Sequence, residues 1–448
     1  MVLQDRIDSS TAHIAVIGLG YVGLPLALAL AEVGFPVLGL DVNEERVAAL
    51  QRGESYLQDV PSAQIAAQRS AGRLEASTDY DRLRTVDVIF ICVPTPNDRQ
   101  RAPDLSYIIA AAEGIAPRLQ PGQLIVLQST TYPGTTEEEV QPILERTGLH
   151  AGIDFYLAFS PERINPGDRM HTVHNTPKVV GGVDPQSAAL TARLLARLTP
   201  EVHIVSSPRA AEMTKLLENI FRSVNIALVN ELAILAERMG IDIWEVIAAA
   251  ASKPFGYMPF TPGPGVGGHC IPVDPYYLSW KAREYDFWTK FVELAAEVNQ
   301  GMPYHVVGLI TEALGAYGLP LRGAEVLLLG VTFKRDVDDA RNSPAERIIE
   351  LLLGAGAKVS YNDPYVSHFH VGGDVFCRQS LALESVPLTA ERLRAADCAV
   401  IVAGHSCYDY AWLVRESRLL VDTVNATCGL QGEHIVRLGA PWKRGKNC

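Results

Sequence analysis

The sequence has few of the features that mark disulfide-rich, metal-binding or nucleic-acid-binding proteins. Its 448 residues include only 7 cysteines, and no C-x-x-C pair or Cys/His cluster has zinc spacing. A disulfide framework and a structural metal are therefore not expected, and a reducing cytoplasm is the natural setting. The formal net charge is -12. This argues against nucleic-acid binding, because such proteins need a basic face.

Long hydrophobic runs and targeting signals are also scarce. The polar residues 1–13 lack the apolar core of a secretion signal. Residues 14–31 carry no charge, but glycines and a proline interrupt them. A buried strand, a glycine turn and a buried helix explain this stretch better than a membrane span, so we expect no membrane partner. The length of the chain predicts two or three domains.

The chain begins with a strand, a glycine-rich turn, a helix and a second strand that ends in an acidic residue. The apolar residues 13–17 precede the turn, and residues 36–40 form the second strand, which ends at Asp41. The turn between them reads Gly18-Leu19-Gly20-Tyr21-Val22-Gly23. This is G-x-G-x-x-G in the full context that a dinucleotide-binding site requires, although a glycine-rich turn in another α/β domain has the same residues.

Each residue of this turn has a specific use in binding a dinucleotide. Gly18 permits the tight turn, Gly20 lets the backbone approach the pyrophosphate, and Gly23 lets the helix pack close to the strand. The positive end of the helix dipole then faces the phosphates. Asp41 can accept hydrogen bonds from the ribose hydroxyls and would repel a 2′-phosphate, so NAD is expected rather than NADP.

The strand–helix alternation continues and brings polar side chains to three further strand ends. Continuous apolar runs at 87–93, 124–127 and 155–159 predict buried parallel strands. The residues that follow these strands include Pro94 and Thr95, then Thr131, then Glu162 and Arg163. Open α/β sheets bind ligands at the carboxyl ends of their strands, so we expect these residues at one edge, beside the dinucleotide.

One long helix is predicted at 208–240, because no proline interrupts it and Gly240 can end it. Its length and composition suit a buried spine between domains or a subunit interface, which makes a homodimer or higher homo-oligomer our expectation. Lys215 and Asn219 lie four residues apart and share a face. That face is either a solvated polar surface or one side of a cleft that also holds Cys270.

The region after this helix contains an unusual loop at 263–275. It has four glycines and three prolines, Cys270 follows the glycines, and Asp274 comes four residues later. Such a stretch cannot form a regular helix or strand, and it lets the backbone come close to a ligand. On local sequence alone, it could also be a linker with an incidental buried cysteine. Helices are predicted at 243–252, 277–285 and 291–300, and a hinge at 301–303.

The last part of the chain reads as a second βαβ-type domain. Helices are predicted at 304–317 and 344–353, and strands at 324–330, 358–361, 398–402 and 419–422. It lacks G-x-G-x-x-G, so a second dinucleotide is not expected. Lys334, Arg335 and Arg341 follow the end of a strand. They form either a binding site for phosphates or a solvated basic loop.

The predicted architecture is α/β, with two Rossmann-like doubly wound domains joined by a long central helix. The predicted domains are an NAD-binding Rossmann domain at 1–207, a central helical domain with the glycine loop at 208–303, and a Rossmann-like domain at 304–448. A cleft between the two halves would be the usual place for a ligand.

Together, these motifs resemble the nucleotide-sugar 6-dehydrogenases, typified by UDP-glucose dehydrogenase, over nearly the whole chain. The matching motifs are Gly18–Gly23, Val93-Pro-Thr-Pro96, Ser160-Pro-Glu162, Lys215-x-x-x-Asn219, Gly267-Gly-His-Cys270 with Asp274, and Phe333-Lys334-Arg-Asp336. The glycine loop and residues 160–167 look most like the branch that acts on UDP-N-acetylhexosamines, especially the UDP-N-acetylglucosamine 6-dehydrogenases.

The resemblance implies a four-electron oxidation of C6 of a UDP-sugar by NAD, through a thiohemiacetal and a thioester at Cys270. Lys215 and Asn219 would stabilise the oxyanions, Asp274 would handle protons, and Glu162 and Thr131 would assist the water and proton steps. The implied cofactor contacts are Gly18, Gly20, Tyr21, Val22, Gly23, Asp41, Pro94, Thr95 and Thr131. The implied substrate contacts are Glu162, Arg163, Lys215, Asn219, Gly267, Lys334 and Arg335.

Two positions depart from the pattern of the UDP-glucose enzymes. Lys253-Pro254-Phe255 stands where those enzymes usually carry an arginine, and the acetamido-sugar branch resembles this chain in that respect. Val424 stands where the family often has an arginine. The same reaction on UDP-glucose or UDP-N-acetylmannosamine is therefore an alternative. A two-electron hydroxyacid dehydrogenase and a non-catalytic nucleotide-sugar binding protein are further alternatives. The expected product would feed surface polysaccharide or glycoconjugate synthesis.

Overall fold

The chain forms two compact units. The computed structural model describes residues 2–57, 59–97, 102–163, 172–268, 271–373, 378 and 380–442. The first unit, called here the N-unit, comprises Met1–Glu218 and Tyr276–Trp288, and the C-unit comprises Asn219–Pro275 and Thr289–Cys448. Each unit contains a mostly parallel sheet with helices. The predicted α/β class is thus confirmed, and the domain limits at 207 and 303 stay a prediction.

The N-unit is built on an eight-stranded sheet. Its strands are β1 Ile14–Ile17, β2 Val37–Leu40, β3 Leu74–Ser77, β4 Val88–Ile91, β5 Leu124–Leu127, β6 Tyr156–Phe159, β7 Lys178–Gly182 and β8 Val202–Val205. Their order is β3-β2-β1-β4-β5-β6-β7-β8. All neighbours are parallel except β6 and β7. Every residue of β1, β2, β4 and β5 is buried, as continuous apolar runs predict for a sheet covered on both faces.

Seven helices precede the long helix among the described residues of the N-unit. They are α1 Leu3–Asp8, α2 Gly23–Glu32, α3 Glu44–Arg52, α4 Ser62–Ser70, α5 Ser106–Ile115, α6 Gln141–Glu145 and α7 Pro185–Leu195. Short 3-10 turns occur at Tyr80–Thr85 and Ala116–Arg118, and a π-helical turn at Thr136–Val140 precedes α6. Asp184 begins α7 by accepting the amides of Gln186 and Ser187, at 2.7 and 3.0 Å, which are typical N-cap contacts.

The long helix α8, Pro208–Met239, confirms the helix predicted at 208–240. The division between the two units falls within it, between Glu218 and Asn219. Among the described residues, α8 is the one helix that is long and apolar enough to cross a membrane, a test that core helices of soluble proteins also pass. Two helices follow it, α9 Ile243–Ala251 and α10 Asp274–Ala282, and a 3-10 turn at Arg283–Tyr285 extends α10.

The predicted hinge at 301–303 is wrong. A single helix, α11 Lys290–Ala316, runs through Pro303 and replaces the two helices predicted at 291–300 and 304–317. Proline costs a helix one hydrogen bond, here that of the Asn299 carbonyl. This carbonyl faces Gly265, where a methyl group would lie 3.2 Å from the oxygen. Met302 and Pro303 are both buried, and this burial offsets the lost bond.

The C-unit contains a five-stranded parallel sheet and a hairpin. Its strands are β9 Glu325–Leu329, β10 Lys358–Asn362, β11 His368–Val371, β12 Leu381–Glu384, β13 Cys398–Ile401, β14 Leu420–Asp422 and β15 Ile435–Arg437. The sheet order is β10-β9-β13-β14-β15, and β11 pairs with β12 as an antiparallel hairpin. The helices are α12 Pro344–Gly354, α13 Ala390–Ala395 and α14 Tyr410–Glu416. The hairpin and β15 are elements that the sequence patterns did not indicate.

Candidate active site

The glycine turn after β1 has the geometry that close backbone packing requires. Gly18 has a φ of 89°, a value that favours glycine. A methyl group on Gly23 would lie 1.8 Å from the Gly18 carbonyl oxygen, so only glycine fits at the start of α2. A methyl group on Gly20 would meet no atom within 4 Å. The turn therefore leaves open space at Gly20, where a pyrophosphate would approach the backbone.

Asp41 lies at the end of β2 and is held beside this turn. Its carboxylate accepts hydrogen bonds from the amides of Leu19, at 2.8 Å, and Asn43, at 2.9 Å. Arg46 lies 3.4 Å from the same carboxylate. Burial, with the charge of Asp41, raises the pKa of the Tyr56 hydroxyl, which donates to the Leu19 carbonyl. A fixed carboxylate beside an open glycine turn fits the adenosine ribose and pyrophosphate of NAD.

Of the predicted cofactor contacts that follow β4 and β5, Thr95 and Thr131 are buried and Pro94 is exposed. The Thr95 carbonyl accepts a hydrogen bond from Tyr277. Thr131 is fully buried, and its hydroxyl lies 2.6 Å from that of Thr135. Ser129 donates to the Val93 carbonyl at 2.8 Å and ties the two loops together. The hydroxyl of Thr131 is thus already engaged with another side chain.

Glu162, which follows β6, belongs to a buried network that sequence analysis missed. Lys178 Nζ lies 2.9 and 3.0 Å from the two carboxylate oxygens of Glu162. Gln128 Nε2 donates to the same carboxylate at 2.7 Å. Lys178 is fully buried and Gln128 is 2% exposed. The one signal in the sequence was a lysine at the start of an apolar strand, where an unpaired charge would be costly.

Arg163 lies beside this network but is bound to other groups. Its guanidinium pairs with Glu218 at 2.6 Å and donates to the Pro177 carbonyl at 2.8 Å. Its backbone amide donates to Glu162 at 2.7 Å. The predicted substrate contact at Arg163 would therefore compete with these contacts.

Two buried charged residues lie one turn apart on α8. Lys215 is 7% exposed, and no hydrogen bond or ion pair joins it to another described residue. Glu212 is fully buried and accepts hydrogen bonds from the Gly134 amide at 2.6 Å and from the Thr136 amide at 2.9 Å. Burial raises the pKa of Glu212 to about 7, although these hydrogen bonds oppose the shift. Glu212 was not predicted as a site residue, because no pattern near it in the sequence indicates that it faces the loop after β5.

Asn219 and Asp274, both predicted site residues, lie together in the C-unit. Asn219 is fully buried, and its Nδ2 donates to Asp274 Oδ2 at 2.5 Å. Its Oδ1 accepts from Arg222 Nη2, also at 2.5 Å. Asp274 is the first residue of α10 and is 3% exposed. The side-chain amide of Asn219 thereby fixes the orientation of the carboxylate at the end of the glycine loop.

The glycines of the loop before Asp274 are packed against protein. A methyl group on Gly267 would lie 2.7 Å from both the Asn342 carbonyl oxygen and Phe333 Cβ, and one on Gly268 would lie 2.9 Å from the Phe333 ring. The close approach that these glycines permit is thus at least partly to the segment 333–342. Cys270, the predicted nucleophile, lies outside the described residues.

The predicted basic cluster after β9 is paired with nearby acids. Arg335 Nε lies 3.2 Å from Asp336, and Arg341 contacts Asp339 at 2.6 and 2.9 Å. Lys334 is half-buried. In the part of the chain that the structure describes, no group of three or more His, Cys, Asp or Glu residues could hold a metal ion.

Three parts of the chain match the three domain models of one protein family. Residues 12–199 match the NAD binding domain, 209–301 the central domain and 327–428 the UDP binding domain of the UDP-glucose/GDP-mannose dehydrogenase family. The chain is 40% identical over 356 residues to UDP-N-acetyl-D-glucosamine 6-dehydrogenase of Pseudomonas aeruginosa, covering 79% of this chain and 83% of that protein. It is 36% identical to the protein of the same name in Salmonella typhi, covering 88% and 89%.

The fold is similar to that of solved structures from the same group. The structure of UDP-D-ManNAc dehydrogenase from Pyrococcus horikoshii superposes with a TM-score of 0.86 at 32% identity, covering 95% of this chain and 99% of that one. A match over 95% of the chain extends over both units. The central-domain model covers α8 from residue 209 onward.

Proposed function

Because the chain belongs to the UDP-glucose/GDP-mannose dehydrogenase family and is an NAD-dependent UDP-sugar 6-dehydrogenase, we propose that its substrate is UDP-N-acetylglucosamine. The product would be the corresponding uronic acid, formed by two successive oxidations of C6. The observation that carries this choice of sugar is the 40% identity to UDP-N-acetyl-D-glucosamine 6-dehydrogenase of Pseudomonas aeruginosa. We also propose the three domains 1–207, 208–303 and 304–448.

A second candidate substrate is UDP-N-acetylmannosamine. The archaeal structure with the TM-score of 0.86 bears that activity in its name, as does a relative that is 37% identical over 80% of this chain. The two sugars differ in the configuration at C2, and the C6 chemistry is the same for both. The choice between them therefore depends on contacts to the acetamido group.

The proposed reaction is covalent at Cys270. Bound NAD supplies the hydride acceptor for each oxidation. Loss of a hydride from C6 and of a proton from its hydroxyl group gives an aldehyde, and the Cys270 thiol adds to its carbonyl carbon to give a thiohemiacetal. A second loss of hydride and proton gives a thioester. Water then adds to this carbonyl, the carbon–sulfur bond breaks, and the carboxylate and the thiol are released.

Lys215, Asn219 and Asp274 would act on the oxygen at C6. A buried lysine that pairs with no other described residue is suited to stabilise an oxyanion, and the Asn219 amide can add a second donor. Asp274, whose carboxylate accepts from Asn219 at 2.5 Å, would take up protons in each oxidation. Lys334 and Arg335 would contact the diphosphate.

Glu162 and Thr131 would serve the hydrolysis of the thioester. The contacts of Glu162 with Lys178 and Gln128 hold its carboxylate in a fixed orientation. Such a group can orient a water molecule as a hydrogen-bond acceptor. Thr131 would assist through its hydroxyl, which also bonds Thr135.

We further propose a homodimer, or a higher homo-oligomer, that forms through α8. Large apolar residues are exposed at helical spacings between residues 221 and 239, namely Phe221, Leu228, Leu232, Leu235 and Met239. These positions recur every three, four or seven residues and so lie on one helix face. Covering such a stripe removes apolar surface from water. A cytoplasmic location fits the use of a nucleotide sugar and NAD.

The decisive experiment is a panel of UDP-sugars with NAD. UDP-N-acetylglucosamine, UDP-N-acetylmannosamine, UDP-N-acetylgalactosamine and UDP-glucose are compared by initial rate, and NADH formed is counted against sugar consumed. We expect two NADH per sugar and the highest kcat/KM with UDP-N-acetylglucosamine. One NADH and a released aldehyde would rule out the four-electron reaction, and a better rate with another sugar would reassign the substrate.

The role of Cys270 is tested by Cys270→Ala in the same assay. We expect uronate formation to fall by roughly 1,000-fold or more, because no thioester can form, while NAD affinity is unchanged. Full turnover by this variant would remove Cys270 from the mechanism.

A further inference from the structure

The glycine loop is fastened at its beginning by two buried asparagines. The Gly263 amide donates to Asn230 Oδ1 at 2.9 Å, and Asn230 Nδ2 donates to Asn299 Oδ1 at 3.0 Å. Asn299 Nδ2 in turn donates to the Ser223 carbonyl at 3.1 Å. Both asparagines are buried, at 0% and 6% exposure. Buried amides with satisfied hydrogen bonds give a rigid attachment of the loop to α8 and α11.

A second attachment lies at Gly268, two residues before Cys270 in the sequence. The Gly268 amide donates to the Arg341 carbonyl at 3.0 Å. The Gly268 carbonyl accepts from Asn342 Nδ2, also at 3.0 Å. Both backbone groups of one loop residue are therefore bound by two consecutive residues of the segment 333–342. A shift of this segment would move the Gly268 peptide with it.

The segment 333–342 is itself closed and anchored. The Phe333 amide donates to the Asp339 carbonyl at 3.1 Å, and Arg341 pairs with the Asp339 side chain at 2.6 Å. Ser343 then caps α12 by accepting the Ala345 amide at 3.2 Å. These contacts make the segment a compact unit that ends on a rigid helix.

Asn342 suits this place in both its backbone and its side chain. Its φ is 52°, in the left-handed region that asparagine tolerates better than most other residues. Aspartate would keep this backbone but would present a carboxylate to the Gly268 carbonyl. Glycine would keep the backbone and remove the bond.

We propose that Asn342 is a positioning residue that couples the diphosphate-binding segment 333–342 to the loop that leads into Cys270. The inference rests on the proposed function, in which Lys334 and Arg335 of that segment contact the UDP diphosphate. Binding of the nucleotide shifts the anchored segment, and Asn342 passes this shift to the Gly268 peptide. Nucleotide occupancy thereby sets the position of the Gly268 peptide, two residues before Cys270 in the sequence, before C6 of the sugar arrives.

The test compares Asn342→Gly and Asn342→Asp with the native protein. The first variant separates loss of the side-chain hydrogen bond from backbone strain, and the second replaces the donor with an acceptor. Asp286→Gly is the matched control, because Asp286 also has a positive φ, of 53°, and has no part in the site. The rate of alkylation of Cys270 by iodoacetamide is followed by mass spectrometry of its peptide, with and without UDP. UDP lacks the hexose, so it does not occupy the place of C6.

In the native protein and in Asp286→Gly, we expect saturating UDP to change the alkylation rate by about fivefold, the effect of one hydrogen bond of ordinary strength. In both Asn342 variants, we expect this UDP effect to fall below about twofold, while the Kd of UDP changes by less than about threefold. With NAD and UDP-sugar, kcat should fall by roughly tenfold or more, because loop misplacement affects the chemical step, and KM for NAD should not change.

Four outcomes decide between these possibilities. An undiminished UDP effect in both Asn342 variants would overturn the coupling, as would loss of UDP affinity in step with the loss of kcat. If the native protein binds UDP and shows the coupling but forms no NADH from any UDP-sugar, the proposed function fails and the role of Asn342 stands. If calorimetry shows no binding of UDP to the native protein, both the proposed coupling and the proposed nucleotide site are wrong.

Discussion

The two parallel sheets place an aspartate at corresponding positions and use it differently. Asp41 follows β2, beside the loop after β1, and Asp363 follows β10, beside the loop after β9. Each accepts a backbone amide from the neighbouring loop, from Leu19 at 2.8 Å and from Val331 at 2.7 Å. Each also accepts the amide of the residue two positions later, from Asn43 at 2.9 Å and from Tyr365 at 2.8 Å. The two carboxylates differ in their other contacts.

Asp363 is surrounded by protein donors. It also accepts the amides of Tyr365 at 2.8 Å and Val366 at 3.1 Å, and the fully buried His405 lies 3.2 Å away. Asp41 lies instead beside Gly20, where a side chain would meet no atom within 4 Å. Asp363 thus completes the fold of its sheet, whereas the open space beside Asp41 would accommodate a ligand. The NAD binding domain of the family matches residues 12–199, which lie in the N-unit.

The largest expected effect is that of Asp363→Ala on stability. This change leaves several buried amides without an acceptor, and each costs about 1–3 kcal/mol. We therefore expect the free energy of unfolding of the C-unit to fall by at least roughly 4 kcal/mol, measured by chemical denaturation. Asp41→Ala should cost much less. Equal losses in the two variants would remove the distinction between the two aspartates.

The two units should also differ in how their stability depends on pH. Burial raises the pKa of Glu212 in the N-unit from 4.5 to about 7, so the folded state holds this proton more tightly than the unfolded state. Its contribution to stability is complete below pH 4.5 and is lost as the pH rises to about 7, by up to about 3 kcal/mol.

The pKa of Asp363 is shifted in the opposite direction. Burial acts to raise its pKa, but the hydrogen bonds from His405, Val331 and Tyr365 outweigh burial and hold the pKa below its usual 3.8. Its contribution is therefore lost only in acid. Glutamine stays neutral, so the melting temperature of the native protein should fall relative to that of Glu212→Gln as the pH rises from 5 to 7.5. A constant difference across this range would contradict the raised pKa of Glu212.

The smallest expected effect on stability is that of Gly20→Ala. The added methyl group meets no protein atom, so the melting temperature should not change, since substitutions without new contacts stay within about 0.5 kcal/mol. NAD affinity should fall by roughly 10- to 100-fold, because the methyl group occupies the approach of the pyrophosphate. Titration of NAD by intrinsic fluorescence measures this loss.

Gly330→Ala is the counterpart in the C-unit. Gly330 has a φ of 80° and a methyl group there would lie 2.6 Å from Ala403 Cβ, so this variant should lose stability and keep its NAD affinity. An unchanged NAD affinity in Gly20→Ala would show that the open space at the first turn is not the cofactor site.

Much of the fold was predictable from local patterns, because the chemistry of neighbouring residues determines where many of these strands and helices form. Continuous β-branched runs predicted β1, β4 and β5, and the uninterrupted apolar pattern predicted α8. The helix α11 was mispredicted because Pro303 is a strong local signal, and the burial that outweighs it comes from distant residues. The strand β7 and the hairpin β11–β12 carry only weak patterns of their own.

The sequence motifs named candidate site residues, but they did not predict the contacts that those residues make. The motifs named Asn219 and Asp274, and the structure joins them. They did not indicate Lys178 as the partner of Glu162, Glu212 as the cap of the loop after β5, or Asn342 as the partner of Gly268. The last contact joins residues 74 positions apart, and such pairings depend on how the sheets bring loops together.

The continuous helix α11 has a practical consequence for cutting the chain into fragments. Its buried residues Met302, Val306 and Ile310 belong to the same hydrophobic cluster as Val326 and Leu328 of β9. A recombinant fragment that starts at residue 304 would lack the first half of this helix and expose part of that cluster. An expression clone of the UDP-binding half should therefore begin ahead of Lys290, so that the whole helix is translated with the sheet it covers.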